Sequence, residues 1–156
     1  MTDDGLRIRD MARGEGPEVF ALVMRGFDEL VRVDCTESGA AEFTRAVRAF
    51  VVERQPGHRV TVAEKDGRLV GMIDVRDASH VCLFFVESMD RGRGVGRALL
   101  ESAEQDCAGG GAAAPLAMSV NSSLWAVPVY ERLGFAAVGP VSEIKGITFV
   151  PMMKRL

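Results

Sequence analysis

The stretch Val81–Cys107, VCLFFVESMDRGRGVGRALLESAEQDC, constrains the rest of the chain more than any other. Its apolar run Val81–Val86 reads as a strand covered on both faces. After the turn, Val95, Leu99, Ala103 and Cys107 recur every four residues with Leu100 beside them, the stripe of a helix laid on a sheet. Between them lies Arg91-Gly92-Arg93-Gly94-Val95-Gly96. Glycines let the backbone approach a ligand and expose successive N–H groups, and the helix that follows aims its positive dipole end at the same place. Arg91, Arg93 and Arg97 add charge, so the stretch reads as a diphosphate cradle. The dinucleotide fingerprint fails, because its third glycine would fall at Arg97 or Leu99. A nucleotide-hydrolase loop fails too, for want of Gly-Lys-Ser/Thr.

The flanking sequence fits a mixed sheet. Leu6–Met11 alternates and predicts a first strand. Pro17 suits the first turn of a helix striped by Val19, Leu22, Val23, Phe27 and Leu30. Thr36 or Ser38 is placed to cap a second helix with Phe43, Val47, Phe50 and Val51 on one face, ending at Gln55-Pro56-Gly57-His58. Arg59–Lys65, Asp66-Gly67 and Leu69–Val75 form a hairpin signal, and a turn at Arg76–Ser79 leads into His80–Val86. Beyond the glycine turn come a strand at Pro115–Val120, a helix from Asn121-Ser122-Ser123 to about Leu133, and a strand pair at Phe135–Val138 and Ile147–Lys154. Pro128 requires that helix to start late or kink, and Pro151 is expected only at an edge or bulge. The order is β-α-α-β-β-β-α-β-α-β-β, an α/β (α+β) fold in one domain over 1–156, with a mostly antiparallel sheet of about seven strands.

Composition narrows the class. A net charge of −3 gives no overall attraction to nucleic acid, so the arginine cluster is aimed at something small. Three cysteines without Cys-x-x-Cys spacing favour neither disulfides nor a zinc site. The acidic start MTDDGLRIRD is unlike a signal peptide, and no apolar run is long enough to span a bilayer. A cytoplasmic protein without membrane or nucleic-acid partners is expected.

RGRGVG resembles the arginine-or-glutamine-x-x-glycine-x-glycine-or-alanine signature of the GCN5-related N-acetyltransferase (GNAT) family. Asn121–Phe135, NSSLWAVPVYERLGF, is similar to that family's later helix motif, which ends in tyrosine-x-x-x-glycine-phenylalanine. The resemblance implies an acetyl-coenzyme A-dependent N-acetyltransferase that needs no metal. It implies that Arg91, Gly92, Arg93, Gly94, Val95, Gly96 and Arg97 hold the pyrophosphate and that Phe84, Phe85 and Val86 pair with the pantetheine arm. It further implies that Tyr130 protonates the departing thiolate. Asn121 is a second candidate for the arm, although the family's usual asparagine falls at Ser123 here.

An ammonium cannot attack until something takes its proton. His80, which opens the core strand, is the first candidate base, and parity puts it on the face of Cys82, Phe84 and Val86. Glu87 is the second, and Asp74 and Asp77 are weaker. Backbone N–H at Val86 is a candidate oxyanion donor. Trp125 is expected to pack rather than wall the site. The acceptor pocket is expected near Val31–Ala40, Asp74–Ser79 and Gly139–Gly146. The acceptor is expected to be a small amine, with a protein amine as the alternative, and the chain a monomer or homodimer. A catalytically silent acyl-coenzyme A sensor of the same fold is the rival reading.

Overall fold

The computed structural model describes residues 5–156. Its strands are β1 (Leu6–Asp10), β2 (His58–Lys65), β3 (Arg68–Arg76), β4 (His80–Val86), β5 (Ala117–Ser122), β6 (Ala136–Ala137), β7 (Ser142–Ile144) and β8 (Ile147–Arg155). The helices are α1 (Gly16–Leu30), α2 (Glu37–Val47), α3 (Val95–Ala108) and α4 (Val127–Arg132). The strands form one open sheet in the order β1-β2-β3-β4-β5-β8-β6, with β7 pairing on β8. All these pairings are antiparallel except β4 with β5.

Two apolar layers follow from the sequence stripes. Val19, Leu22 and Val23 of α1 pack with Val47, Val51, Val62 and Met72 on one face of the sheet. On the other face Leu99, Leu100 and Ala103 of α3 meet Val70, Ile73, Met118 and Val120. Each fully buried large side chain contributes about 1.5–3 kcal/mol of transfer free energy. Pro17 lies in the first turn of α1, and Thr36 caps α2, its hydroxyl accepting Gly39 N–H at 3.0 Å. The chain after α2 widens into a π-helical segment, Arg48–Val52, before the expected turn.

Four expectations need correction. The helix after β5 begins at Val127, not Ser123, with Pro128 in its first turn where a missing N–H costs nothing. Ser123 instead accepts Ala126 N–H at 3.3 Å and shapes the lead-in. The sheet gains an eighth strand, β7, whose three exposed or half-buried residues carry no apolar run. Pro151 is not at an edge. It lies in β8 opposite Asn121, between the stretches where β7 and β6 pair. No ladder donor is required of it there, and its carbonyl accepts Val138 N–H at 2.9 Å.

The fourth correction concerns parity. The β3–β4 register shifts between Asp74 and Val75, so that Asp74 pairs with Leu83 and Val75 with Val81. Cys82 is the extra residue of a β-bulge. Cys82, Leu83 and Phe85 pack with the cluster under α1 and α2, while Phe84 and Val86 belong to the opposite cluster. The alternation counted from His80 is therefore broken before it reaches Phe84.

Candidate active site

The site begins where two strands part. β4 and β5 pair only through His80 with Ser119 and Val81 with Val120. Beyond that point β4 stays with β3 and β5 with β8, and a cavity of about 520 Å³ opens between them. One end is walled by Arg91, Gly92, Gly94, Gly96 and Arg97. The middle is walled by Cys82–Val86 on one side and by Val120, Asn121, Ser123 and Tyr130 on the other. Leu30, Val31 and Phe43 from the α1–α2 side, with Ile147–Phe149 of β8, close the far end. That end is tied together by Thr36 N–H donating to Gly146 O at 2.9 Å.

The glycine loop has the backbone its sequence demands. Gly92 and Gly94 have φ of +76° and +85°, a region that costs other residues about 1–2 kcal/mol. Gly94 is the N-cap of α3 and offers no side chain, so the first-turn N–H groups of Val95, Gly96 and Arg97 have no intrahelical acceptor. Val95 itself is buried in the core under the loop, and Arg93 is exposed. Arg91 bends back: its Nε donates to Val86 O at 3.1 Å, a terminal nitrogen reaches Glu29 at 2.6 Å, and its guanidinium lies 5.5 Å from the Trp125 ring centroid. Trp125 is thus half exposed on the cavity wall, contrary to the packing role expected of it.

Tyr130 stands on α4 with its ring edge-on to Phe84 at 6.0 Å and to Phe135 at 5.3 Å. Burial pushes its phenol well above the ordinary range, so the side chain holds its proton at any physiological pH. Phe84 and Val86 flank Gly96, whose position leaves ordinary van der Waals clearance to both.

The candidate bases lie apart from the cavity wall. His80 Nδ1 is 2.8 Å from Ser119 Oγ at the closed end of the β4–β5 junction, and burial lowers its pKa. Glu87 forms an ion pair with Arg25 at 3.2 Å, while its N–H donates to Val70 O. Asp77 is in the exposed β3–β4 turn. Of the three regions expected to wall the acceptor pocket, only the first contributes to the lining, through Val31.

Asp74 is different. It is fully buried and its Oδ2 lies 2.7 Å from Nδ1 of His58, whose side chain is 1% exposed. Phe50 stacks on the His58 ring at 4.1 Å. Cys82 joins this pair: the donor atoms of His58, Asp74 and Cys82 lie within 4.8 Å of one another. Read as a turn residue, His58 gave no hint of this. Counting outward from Asp66-Gly67 puts His58 opposite Val75; the register shift at Ala63/Glu64 moves it opposite Arg76 and so diagonally across from Asp74.

The sequence of residues 31–156 matches the acetyltransferase (GNAT) domain family model, and the chain belongs to that family. No curated protein matches it. Among solved structures it is similar to a GCN5-related N-acetyltransferase from Rhodopseudomonas palustris, 21% identical, with a TM-score of 0.79 over 100% of this chain and 99% of that one. YjaB from Escherichia coli is 26% identical, with a TM-score of 0.72 over 95% and 96% of the two chains. PaiA N-acetyltransferase from Thermoplasma acidophilum, in complex with coenzyme A, is 16% identical, with a TM-score of 0.71 over 97% and 99%.

Proposed function

We propose that this protein transfers an acetyl group from acetyl-coenzyme A to a primary amine by direct attack. The observation that carries this reading is the cavity between the parted strands, which runs from an arginine-flanked helix N-terminus to a buried, protonated tyrosine. The loop from Arg91 to Arg97 suits a pyrophosphate, since free N–H groups, the helix dipole and Arg97 converge there. The β4 edge at Phe84–Val86 suits the pantetheine arm, with Asn121 and Ser123 facing it from β5 and the turn beyond. For the arm to pair with Val86 O, the Arg91 contact to that carbonyl must be released, freeing the guanidinium for the phosphates.

Attack of the free amine on the acetyl carbonyl builds an oxyanion, then expels the coenzyme thiolate as the carbon–sulfur bond breaks. Tyr130 supplies the thiolate's proton, and the proton still carried by the attacking nitrogen of the intermediate returns the phenol to its neutral form. The acceptor enters from the end formed by Leu30, Val31, Phe43 and Ile147–Phe149, whose apolar character suits a small amine with an aliphatic or aromatic body.

The test is a panel of small amines offered with acetyl-coenzyme A, with free thiol as the readout and calorimetry for coenzyme affinity. The proposal expects both binding and thiol release with the matching amine. Binding without release over a broad panel would instead favour a silent acyl-coenzyme A sensor, and absence of binding would refute both.

A further inference from the structure

Two buried side-chain polar atoms among the described residues have no hydrogen-bond partner, His58 Nε2 and Asp74 Oδ1. They belong to the same pair, beneath the β4 bulge. A buried polar atom without a partner calls for an explanation, and functional groups and internal water are the usual ones. Cys82 connects the pair with the cavity, because it lines the cavity wall and brings its sulfur within 4.8 Å of the donor atoms of His58 and Asp74.

We propose that the Asp74–His58 pair takes up the proton released by the acceptor ammonium, through a water held at Cys82 between the pair and the cavity. The proposal rests on the acetyl-transfer reading above and assigns it a proton relay on β2 and β3. Asp74 fixes the imidazole by accepting from Nδ1, which leaves the Nε2 lone pair as the free acceptor, and the Phe50 ring stacked on the imidazole holds its plane. A water at Cys82 that donates to Nε2 has the thiol as its second partner; Asp74 sits on the opposite ring nitrogen, so Oδ1 lies beyond that water's reach.

Charge favours uptake. A carboxylate beside a neutral imidazole carries one net negative charge in an apolar layer, and a proton neutralises the pair. Burial already pushes the Asp74 carboxyl upward, against the hydrogen bond and charge of His58. Arg76 on β3 acts on Asp74, and Cys82 on β4 is faced by Asp74, by Arg76 and by Asp77 in the turn between the strands. Burial pushes the Cys82 thiol up to about 12, so Cys82 guides the water without itself ionising. In balance, the ammonium gives its proton to the water as the water gives one to Nε2. The freed amine then attacks, and the pair returns its proton to solvent after product leaves.

Kinetics of variants, NMR of His58 and a chelator together test the relay. His58→Gln and Asp74→Asn keep size and polarity, and each should lower kcat/KM by roughly 100-fold, the lower range for general base catalysis, with coenzyme affinity unchanged. The rise of kcat/KM with pH should flatten in His58→Gln and move in Asp74→Asn. NMR of the wild-type His58 ring nitrogens, which requires no variant to fold, should show a protonation change over the same pH range as that rise. Folded variants with wild-type rates and profiles, or a ring that titrates elsewhere, would overturn the relay alone. Coenzyme binding without acetylation of any amine would remove the acetyl-transfer reading, and the relay with it. Loss of activity in a chelator, restored by a divalent cation, would overturn the relay in favour of an ion held by the same three side chains.

Discussion

Tyr130→Phe isolates the proposed proton donor with little else disturbed. The substitution removes one oxygen from a 7%-exposed side chain and leaves the ring in its edge-on contacts with Phe84 and Phe135. Losing a buried hydroxyl changes stability by about 1 kcal/mol, which shifts the midpoint of a domain this size by about 2–4 °C. Loss of a general acid costs about 10²–10⁴ in rate, or about 3–5 kcal/mol of transition-state stabilisation. The two effects differ enough to separate. Thiol release under saturating acetyl-coenzyme A should collapse while calorimetric affinity stays at the wild-type value, because no part of the pyrophosphate loop is touched. Since burial raises the phenol, the wild-type rate should also show no alkaline decline from Tyr130 in the ordinary tyrosine range. A Phe variant within about threefold of the wild-type kcat would refute the assignment, since that factor is too small for general acid catalysis.

Gly94→Ala tests the loop by strain alone, because an added Cβ meets nothing within 4 Å while φ is +85°. It should cost about 1–2 kcal/mol in urea unfolding and weaken coenzyme binding, and unchanged stability would count against the left-handed cap. Glu15 tests the acid limb. Its carboxylate accepts from both terminal nitrogens of Arg9 at 2.8 Å and from Ala12 N–H at 2.7 Å, which holds its pKa down to about 2. A depressed folded-state pKa stabilises fully above the unfolded value of 4.5, and that stability is lost as pH falls through about 2. Glu15→Gln should therefore flatten the stability profile across that window, and an identical slope in both proteins would refute it.

The sequence was most informative where structure is local. The four-residue stripe of α3 and the Asp66-Gly67 hairpin are fixed by neighbours in the chain, and β4 spans the expected His80–Val86. The glycine loop was legible because positive φ at Gly92 and Gly94 leaves a compositional mark. The late start of α4 was half legible: Pro128 excluded the long form, but the serine turn that replaces it depends on a backbone path set by β5 leaving β4. β7 left no mark, because a three-residue strand with exposed side chains is held by its register with Phe149, Thr148 and Ile147 rather than by its own composition.

The bulge at Cys82 shows why the proposed proton acceptor was harder to read than the proposed proton donor. Tyr130 sits inside a contiguous motif, and its neighbours in sequence are also its neighbours in space. The proposed acceptor pair lies on the α1–α2 face, and which β4 residue faces that way depends on one inserted position. Parity counted from His80 groups Cys82 with Phe84 and Val86, whereas the bulge leaves Cys82 with Leu83 and Phe85 on the α1–α2 side and sends Phe84 and Val86 to the other. The same insertion sets Cys82 beside His58 and Asp74, two residues from strands whose relative register is itself shifted at Ala63/Glu64. Each shift is a single residue, invisible in hydropathy, and together they set which side chains of β2, β3 and β4 meet. The end of the site proposed to bind phosphate is thus written in one segment, and the end proposed to handle the amine's proton exists only once β2, β3 and β4 have paired.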